Sequence, residues 1–264
     1  MPCWQAREKI CLLALVAADV AASKYPAAVR DVAATLKYRY HDFDHYNLKD
    51  PLDELLFIIC STKTEEASYR NSFRALKESF PTHLHIAEAS AEYIAHTIAR
   101  GGLSNQKAKS MRSLLDSVVG RFGAPTLEPL RTMSDKDAEA FLLALPGIGK
   151  KIARCVLMYS LDRQVFPVDT HCWRIAQRLG WVRPTQKDKH CAPRDMDRLQ
   201  ARIPPELRFS LHVNMVSLGR EICVAAKPKC EICPIAAQCR RIGVARDGGK
   251  EGKRVNCRAV RYEV

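Results

Sequence analysis

The chain has 264 residues, 42 Lys and Arg against 29 Asp and Glu, and a net charge of +13. Its apolar fraction of 47% suffices to pack one large or two small domains and excludes a disordered chain. The positive excess points to an anionic partner, with nucleic acid first, although a basic protein that binds no polyanion is the plainer alternative.

Eleven cysteines are present, and four of them crowd into residues 223 to 239. An odd total with such clustering suits a reduced compartment and one metal site better than a disulfide framework. The apolar stretch Ile10 to Ala22 follows a basic start, but Asp19 interrupts it and no run reaches membrane-spanning length. The stretch reads as a packed N-terminal helix, and the chain as a cytoplasmic, nucleoid-associated protein, with a clipped targeting segment as the alternative.

Helical periodicity then dominates. Val29, Val32, Ala33 and Leu36 share one face, as do Leu55, Leu56, Ile59 and Cys60, and no alternating run is bounded by hairpin turns. Prolines and glycines, from Pro51 through Gly101-Gly102 and Pro146-Gly147 to Pro204-Pro205, punctuate the pattern into many short helices. The predicted class is all-α.

Ser134 and Asp137 form a plausible capping box for a helix that carries Phe141, Leu142 and Leu145 and stops at Pro146. Gly147-Ile148-Gly149 follows, and Ile152, Cys155, Val156 and Tyr159 open a second helical face at once. Glycines let backbone approach a ligand closely, and a helix N-terminus offers free amides and the positive end of its dipole to a phosphate. The hairpin reads either as a non-specific DNA-backbone clamp or as an ordinary turn between helices. Asp169 then precedes a helical pattern from Thr170 to Leu179 and is a natural N-cap. Cys223, Cys230, Cys233 and Cys239 are separated by six, two and five residues, close enough to surround one zinc ion or iron-sulfur cluster. Zinc sites usually use two C-x2-C pairs, and only one stands here. From Gly243 to Val264 the chain turns polar and basic, a tail read as disordered.

The segment Leu145-Pro-Gly-Ile-Gly-Lys-Lys-Ile-Ala153 resembles the helix-hairpin-helix of the DNA glycosylase superfamily that includes endonuclease III and 8-oxoguanine glycosylase. In that pattern the nucleophilic lysine is the second residue after the last hairpin glycine, which selects Lys151 and leaves Lys150 as a phosphate-binding or solvated neighbour. Val168-Asp169-Thr170-His171 is similar to the family's V-D-x-H setting, eighteen residues on, and makes Asp169 the catalytic carboxylate. The chemistry explains the pair. A fixed carboxylate stabilises the positive charge that builds on the sugar as an N-glycosidic bond breaks. An unprotonated amine can attack C1′, form a Schiff base and lead to β-elimination of the 3′ phosphate. The helix start and the adjacent Lys150 are both expected to depress the Lys151 pKa.

The four cysteines match the [4Fe-4S] loop of the same family, which Gly219-Arg220 also precedes. The resemblance implies one such cluster, with Lys227 and Lys229 in its six-residue loop held toward phosphate. Gly102-Leu103-Ser104-Asn105-Gln106-Lys107-Ala108 looks like the family's G-L-x-N-x-K-A stretch, which makes Leu103 the wedge that fills the gap left by a flipped base. Asn105, Gly147, Gly149 and His171 join it as expected DNA contacts, and Lys107 is expected to contact backbone or solvent. One departure stands out: Lys63 occupies the place of a family glutamine, and an ammonium can only donate where an amide also accepts. The adenine-mismatch branch has a glutamate about where Ile58 lies and is disfavoured.

The resemblance covers about residues 26 to 240 and implies two helical domains flanking a DNA cleft. One is contiguous over 44–163; the other joins 1–43 to 164–240, and 241–264 is the tail. The expected activity is a monomeric glycosylase with apurinic-site lyase activity on double-stranded DNA containing an oxidised pyrimidine or an abasic site. A monofunctional mismatch or alkylated-base glycosylase, and a non-enzymatic Fe-S DNA-binding protein, are the alternatives.

Overall fold

The structure, a computed structural model, describes residues 25, 27–183 and 191–244. The expected N-terminal helix over Ile10 to Ala22 and the tail beyond residue 244 lie outside them. Among the described residues the chain is helical, without a strand: α1 (Ala27–Tyr40), α2 (Pro51–Ser61), α3 (Glu66–Ser79), α4 (His83–Glu88), α5 (Ala91–Thr97), α6 (Ser104–Phe122), α7 (Asp135–Ala144), α8 (Lys150–Tyr159), α9 (Thr170–Leu179), α10 (Pro193–Gln200) and α11 (Arg208–Glu221), with short 3-10 turns between some of them.

Buried apolar side chains separate into two clusters. The first runs from Leu52 to Val165 and is centred on α2, whose residues Leu55 to Cys60 are buried on every side. Asp50 starts that helix by accepting the amides of Leu52 and Asp53 at 2.9 and 2.8 Å, and Pro51 fits the first turn, where its missing N–H is no loss. The second cluster takes Val29 to Leu36 of α1 and then Phe166 to Ile235, around α11, which is also buried along most of its length. Each fully buried Leu, Ile or Val contributes about 1.5–3 kcal/mol, so both helices act as organising rods.

The chain therefore crosses between the two bodies twice, at residues 41–50 and near 165. Polar anchors hold the first crossing. Asp42 accepts from Ser210 Oγ at 2.5 Å and Asn214 Nδ2 at 2.8 Å, while His45 Nε2 meets the Val213 carbonyl at 3.0 Å. At its far end Asn47 and the Leu48 amide both donate to Glu54.

The expected capping box at Ser134 is half formed. Ser134 Oγ accepts the Asp137 amide at 3.1 Å, but the Asp137 carboxylate takes the Ser134 hydroxyl at 2.6 Å. An aspartate is one methylene shorter than the usual glutamate, which favours that nearer donor.

Candidate active site

The hairpin joins α7 to α8 through Gly147, at φ +77, a region that glycine enters without strain, and Gly149, the N-cap of α8. Successive helix residues point about 100° apart, so Lys150 and Lys151 diverge. Lys150 Nζ pairs with both oxygens of Asp197 at 2.7 and 2.6 Å. Its charge is thus paired within the protein.

Lys151 turns inward, half-buried, toward the joint between the two bodies. Cys155 lies one turn later on the same helix, and Asp169 and Glu54 are near enough for their charges to favour the Lys151 ammonium. Cys155, first, and then the two carboxylates hold its pKa above the usual lysine value against burial. Burial in turn pushes the Cys155 thiol up to about 11. The expectation of a depressed Lys151 is therefore corrected. Asp197 cancels the Lys150 charge, and Cys155, followed by the two carboxylates, outweighs burial.

Asp169 approaches from the other body. Its Oδ1 accepts the Cys172 amide at 2.7 Å and caps α9. Burial raises its pKa, but His212, the Cys172 amide, His171 and Lys151 outweigh this and hold it below the ordinary carboxylate value. His212, fully buried on α11, shares its Nδ1 with the Pro167 carbonyl at 3.0 Å, and burial drives its pKa down to about 4, so the ring is neutral. His171 Nδ1 accepts from Arg174 at 3.0 Å, and burial lowers its pKa too. It packs against Gly219, where a Cβ would come within 2.6 Å of the ring, so only glycine leaves it room.

Two exposed loops flank this centre. Lys63 (φ +51) lies in the loop after α2, and Leu103 (φ +53, 51% exposed) precedes α6 beside exposed Asn105. Both are left-handed non-glycine residues, a conformation that persists only where the surroundings enforce it. Lys107 provides the enforcement. Buried under both loops, its Nζ donates to the Cys60 carbonyl at 2.7 Å, Thr64 Oγ1 at 2.5 Å and the Gly101 carbonyl at 2.9 Å. The expectation that Lys107 contacts DNA backbone or solvent is corrected: buried, with its ammonium given to three protein oxygens, it is an internal clamp.

Cys223, Cys230, Cys233 and Cys239 line a single cavity with Ile175, Leu218 and Ile235. None is in a disulfide. Arg178 Nη1 donates to Cys223 Sγ at 3.1 Å, and the Arg241 amide to Cys239 Sγ at 3.4 Å. Burial, and next to it the neighbouring thiols, raise the pKa of Cys233 and Cys239, because four thiolates without a cation repel each other in an apolar lining. An all-sulfur donor set with N–H groups aimed at the sulfurs fits a thiolate-ligated metal group. Lys227 and Lys229 stand exposed on its loop.

Sequence reasoning named Lys151 and Asp169 but missed Glu54, Cys155 and His212 around them. Each sits in an apolar helical pattern and carries no local motif. The signal available was a charged or polar residue inside a buried stripe, such as Glu54 within Leu52 to Cys60.

Together the two helical bodies, the glycine hairpin and the half-buried amine and carboxylate at their joint define a helix-hairpin-helix protein of the DNA-glycosylase type. The chain matches, over residues 57–199, the family profile described as HhH-GPD superfamily base excision DNA repair protein, and it belongs to that superfamily. It is 28% identical over 190 residues to endonuclease III of Thermotoga maritima, covering 72% of this chain and 83% of that one. It is 32% identical over 173 residues to the DNA glycosylase/AP lyase ROS1 of Arabidopsis thaliana, covering 61% of this chain and 12% of that one. The chain spans between 9% and 64% of the length of the curated plant relatives it matches. A trapped covalent complex of endonuclease III with DNA bearing an estranged adenine has the same fold, with a TM-score of 0.66 and 24% identity over 81% of this chain and 94% of that one.

Proposed function

We propose that this chain is a bifunctional DNA repair enzyme that excises a damaged base, an oxidised pyrimidine, and cleaves the resulting abasic site by β-elimination. The observation that supports it most is that Lys151, in the first turn of a helix of one body, and Asp169, the N-cap of a helix of the other, are near enough for each charge to favour the other. Relatives named endonuclease III and DNA glycosylase/AP lyase agree with the reaction class.

In this reading the duplex lies across the joint, and the glycine hairpin grips its backbone. Leu103 enters the stack where the damaged nucleotide swings out, because an apolar wedge fills the gap left by a flipped base. Asp169, ionised and fixed by its cap, faces the sugar as positive charge develops at C1′. Lys151 must shed a proton before its amine attacks C1′ and releases the base. The imine so formed acidifies the C2′ hydrogen, and loss of that proton expels the 3′ phosphate. The four cysteines would hold a [4Fe-4S] cluster, which supplies a crosslink that fixes the loop of Lys227 and Lys229 and takes no part in bond breaking.

The test uses duplexes that each carry one lesion, with borohydride added during reaction. A covalent protein–DNA adduct is expected with the wild type and none with Lys151→Gln. Excision without any adduct would instead select the monofunctional glycosylase, which the Lys63 departure favours among the alternatives.

A further inference from the structure

Lys151 enters the reaction as an amine, yet its surroundings hold it as an ammonium. The proton needs a destination, and once DNA covers the joint bulk water is a poor one. Glu54 offers another. Its side chain is fully buried in the first turns of α2, and α2 packs directly against α8, which carries Lys151. Glu54 Oε1 accepts from Asn47 Nδ2 at 2.7 Å and Oε2 from the Leu48 amide at 2.8 Å. Each oxygen keeps a second lone pair. Among the described residues no Lys, Arg or His forms an ion pair with it, and Lys151 is the cation that it feels. A fully buried carboxylate without a fixed counter-ion is rare, because desolvation favours its neutral form.

We propose that Glu54 acts through Lys151, as the counter-charge that holds its ammonium and the acceptor that takes its proton when the amine attacks. The step balances within the site. One N–H bond of the ammonium breaks and one O–H bond forms on Glu54, through one bridging water because the two groups lie beyond ion-pair distance. The freed lone pair bonds C1′ as the C1′–base bond breaks and its electron pair leaves with the base. Before transfer the site holds one ammonium and two carboxylates; afterwards it holds a neutral amine, a neutral Glu54 and an ionised Asp169. Net charge is unchanged, and the one remaining carboxylate is the one that faces the sugar. The two carboxylates are also pushed apart in the direction this division needs. Burial raises Glu54 despite its two hydrogen bonds, whereas Asp169 lies below its usual value. Such divergence between neighbouring carboxyls separates a proton carrier from an electrostatic stabiliser. The other groups that face Lys151 are unsuited to take the proton. Cys155, on α8 itself, is already protonated at neutral pH. On α11, His212 is neutral, but burial makes it a weak base. Tyr159 on α8 and Cys172 on α9, both near the pair, are pushed far up by burial and keep their own protons.

This inference rests on Lys151 being the nucleophile, and its test separates the two. Adduct formation on a preformed abasic duplex is timed from pH 6 to 8.5 with cyanoborohydride in single turnover. A proton that stays inside the site gives a rate independent of pH in the wild type. In Glu54→Gln, where an amide keeps the Leu48 bond but takes no proton, the rate should climb about tenfold per pH unit as the proton is lost to water. A merely structural Glu54 changes the height of the profile and leaves its slope alone. A tenfold climb in the wild type, or equal slopes in both proteins, overturns the proposal. Should Glu54→Gln fail to fold, the wild-type slope decides. Should the wild type form no adduct, the Schiff-base reading fails by itself, and Glu54 is judged by titrating reductively methylated Lys151 by carbon-13 NMR, its signal assigned by loss in Lys151→Gln. There a fall of Lys151 proton affinity by tenfold or more in Glu54→Gln supports the coupling, and an unchanged value overturns it.

Discussion

In the proposed function Asp169 serves two ends with one carboxylate, and a single substitution separates them. As N-cap of α9 it needs only an oxygen to accept the Cys172 amide, and asparagine caps about as well as aspartate. As the proposed stabiliser of a developing cation it needs its charge. Asp169→Asn should therefore melt within a few degrees of the wild type while base excision falls by about 10²-fold or more. Thermal melting beside single-turnover excision checks both halves, and a large loss of stability would show that the carboxylate matters chiefly to the fold. Asp169 and Lys151 were legible because each lies in a short motif, V-D-x-H or the glycine hairpin. The direction of the Lys151 pKa was not legible, because the groups that set it come from α2, later turns of α8, and α9. No window of sequence contains them together.

At the scale of elements, α7, α8 and α10 are tied by charges that periodicity does not report. Arg154, 2% exposed on α8, bonds Glu139 at 2.8 Å and also Asp197, the residue that holds Lys150. Burial raises the Asp197 pKa, but hydrogen bonds from Lys150 and Arg154 bring it below the ordinary aspartate value. The sign of the linkage follows. A carboxyl whose folded pKa is depressed stabilises the fold at pH above its unfolded value, about 4, and that contribution is lost as pH falls through the folded pKa. Asp197→Asn should thus be less stable than the wild type near neutrality, and the gap should close as denaturation is measured at lower pH below about 4. A gap that stays constant with pH would assign the loss to packing instead of charge. The α7–α8 hairpin itself was readable from proline, glycine and apolar spacing. Its support by α10 was not, since Asp197 lies 47 positions from Lys150 in an otherwise polar helix.

Across the whole molecule, the excess of 13 positive charges is unevenly committed. Lys107 and Lys150 are engaged inside the protein, as are Arg154 and Arg178, so composition overstates what reaches DNA. Lys227 and Lys229 are different: both are exposed on the loop whose ends are Cys223 and Cys230. Each phosphate contact adds about −0.9 to the slope of log affinity against log salt. If both lysines meet phosphate, Lys227→Ala with Lys229→Ala should flatten that slope by about 2 and weaken damaged and undamaged duplexes alike. Leu103→Ala, which alters no charge, should leave the slope intact and weaken only the duplex in which a base can be flipped. Binding titrations at several salt concentrations distinguish the two, and an unchanged slope in the double variant would detach the cysteine loop from the DNA-binding face.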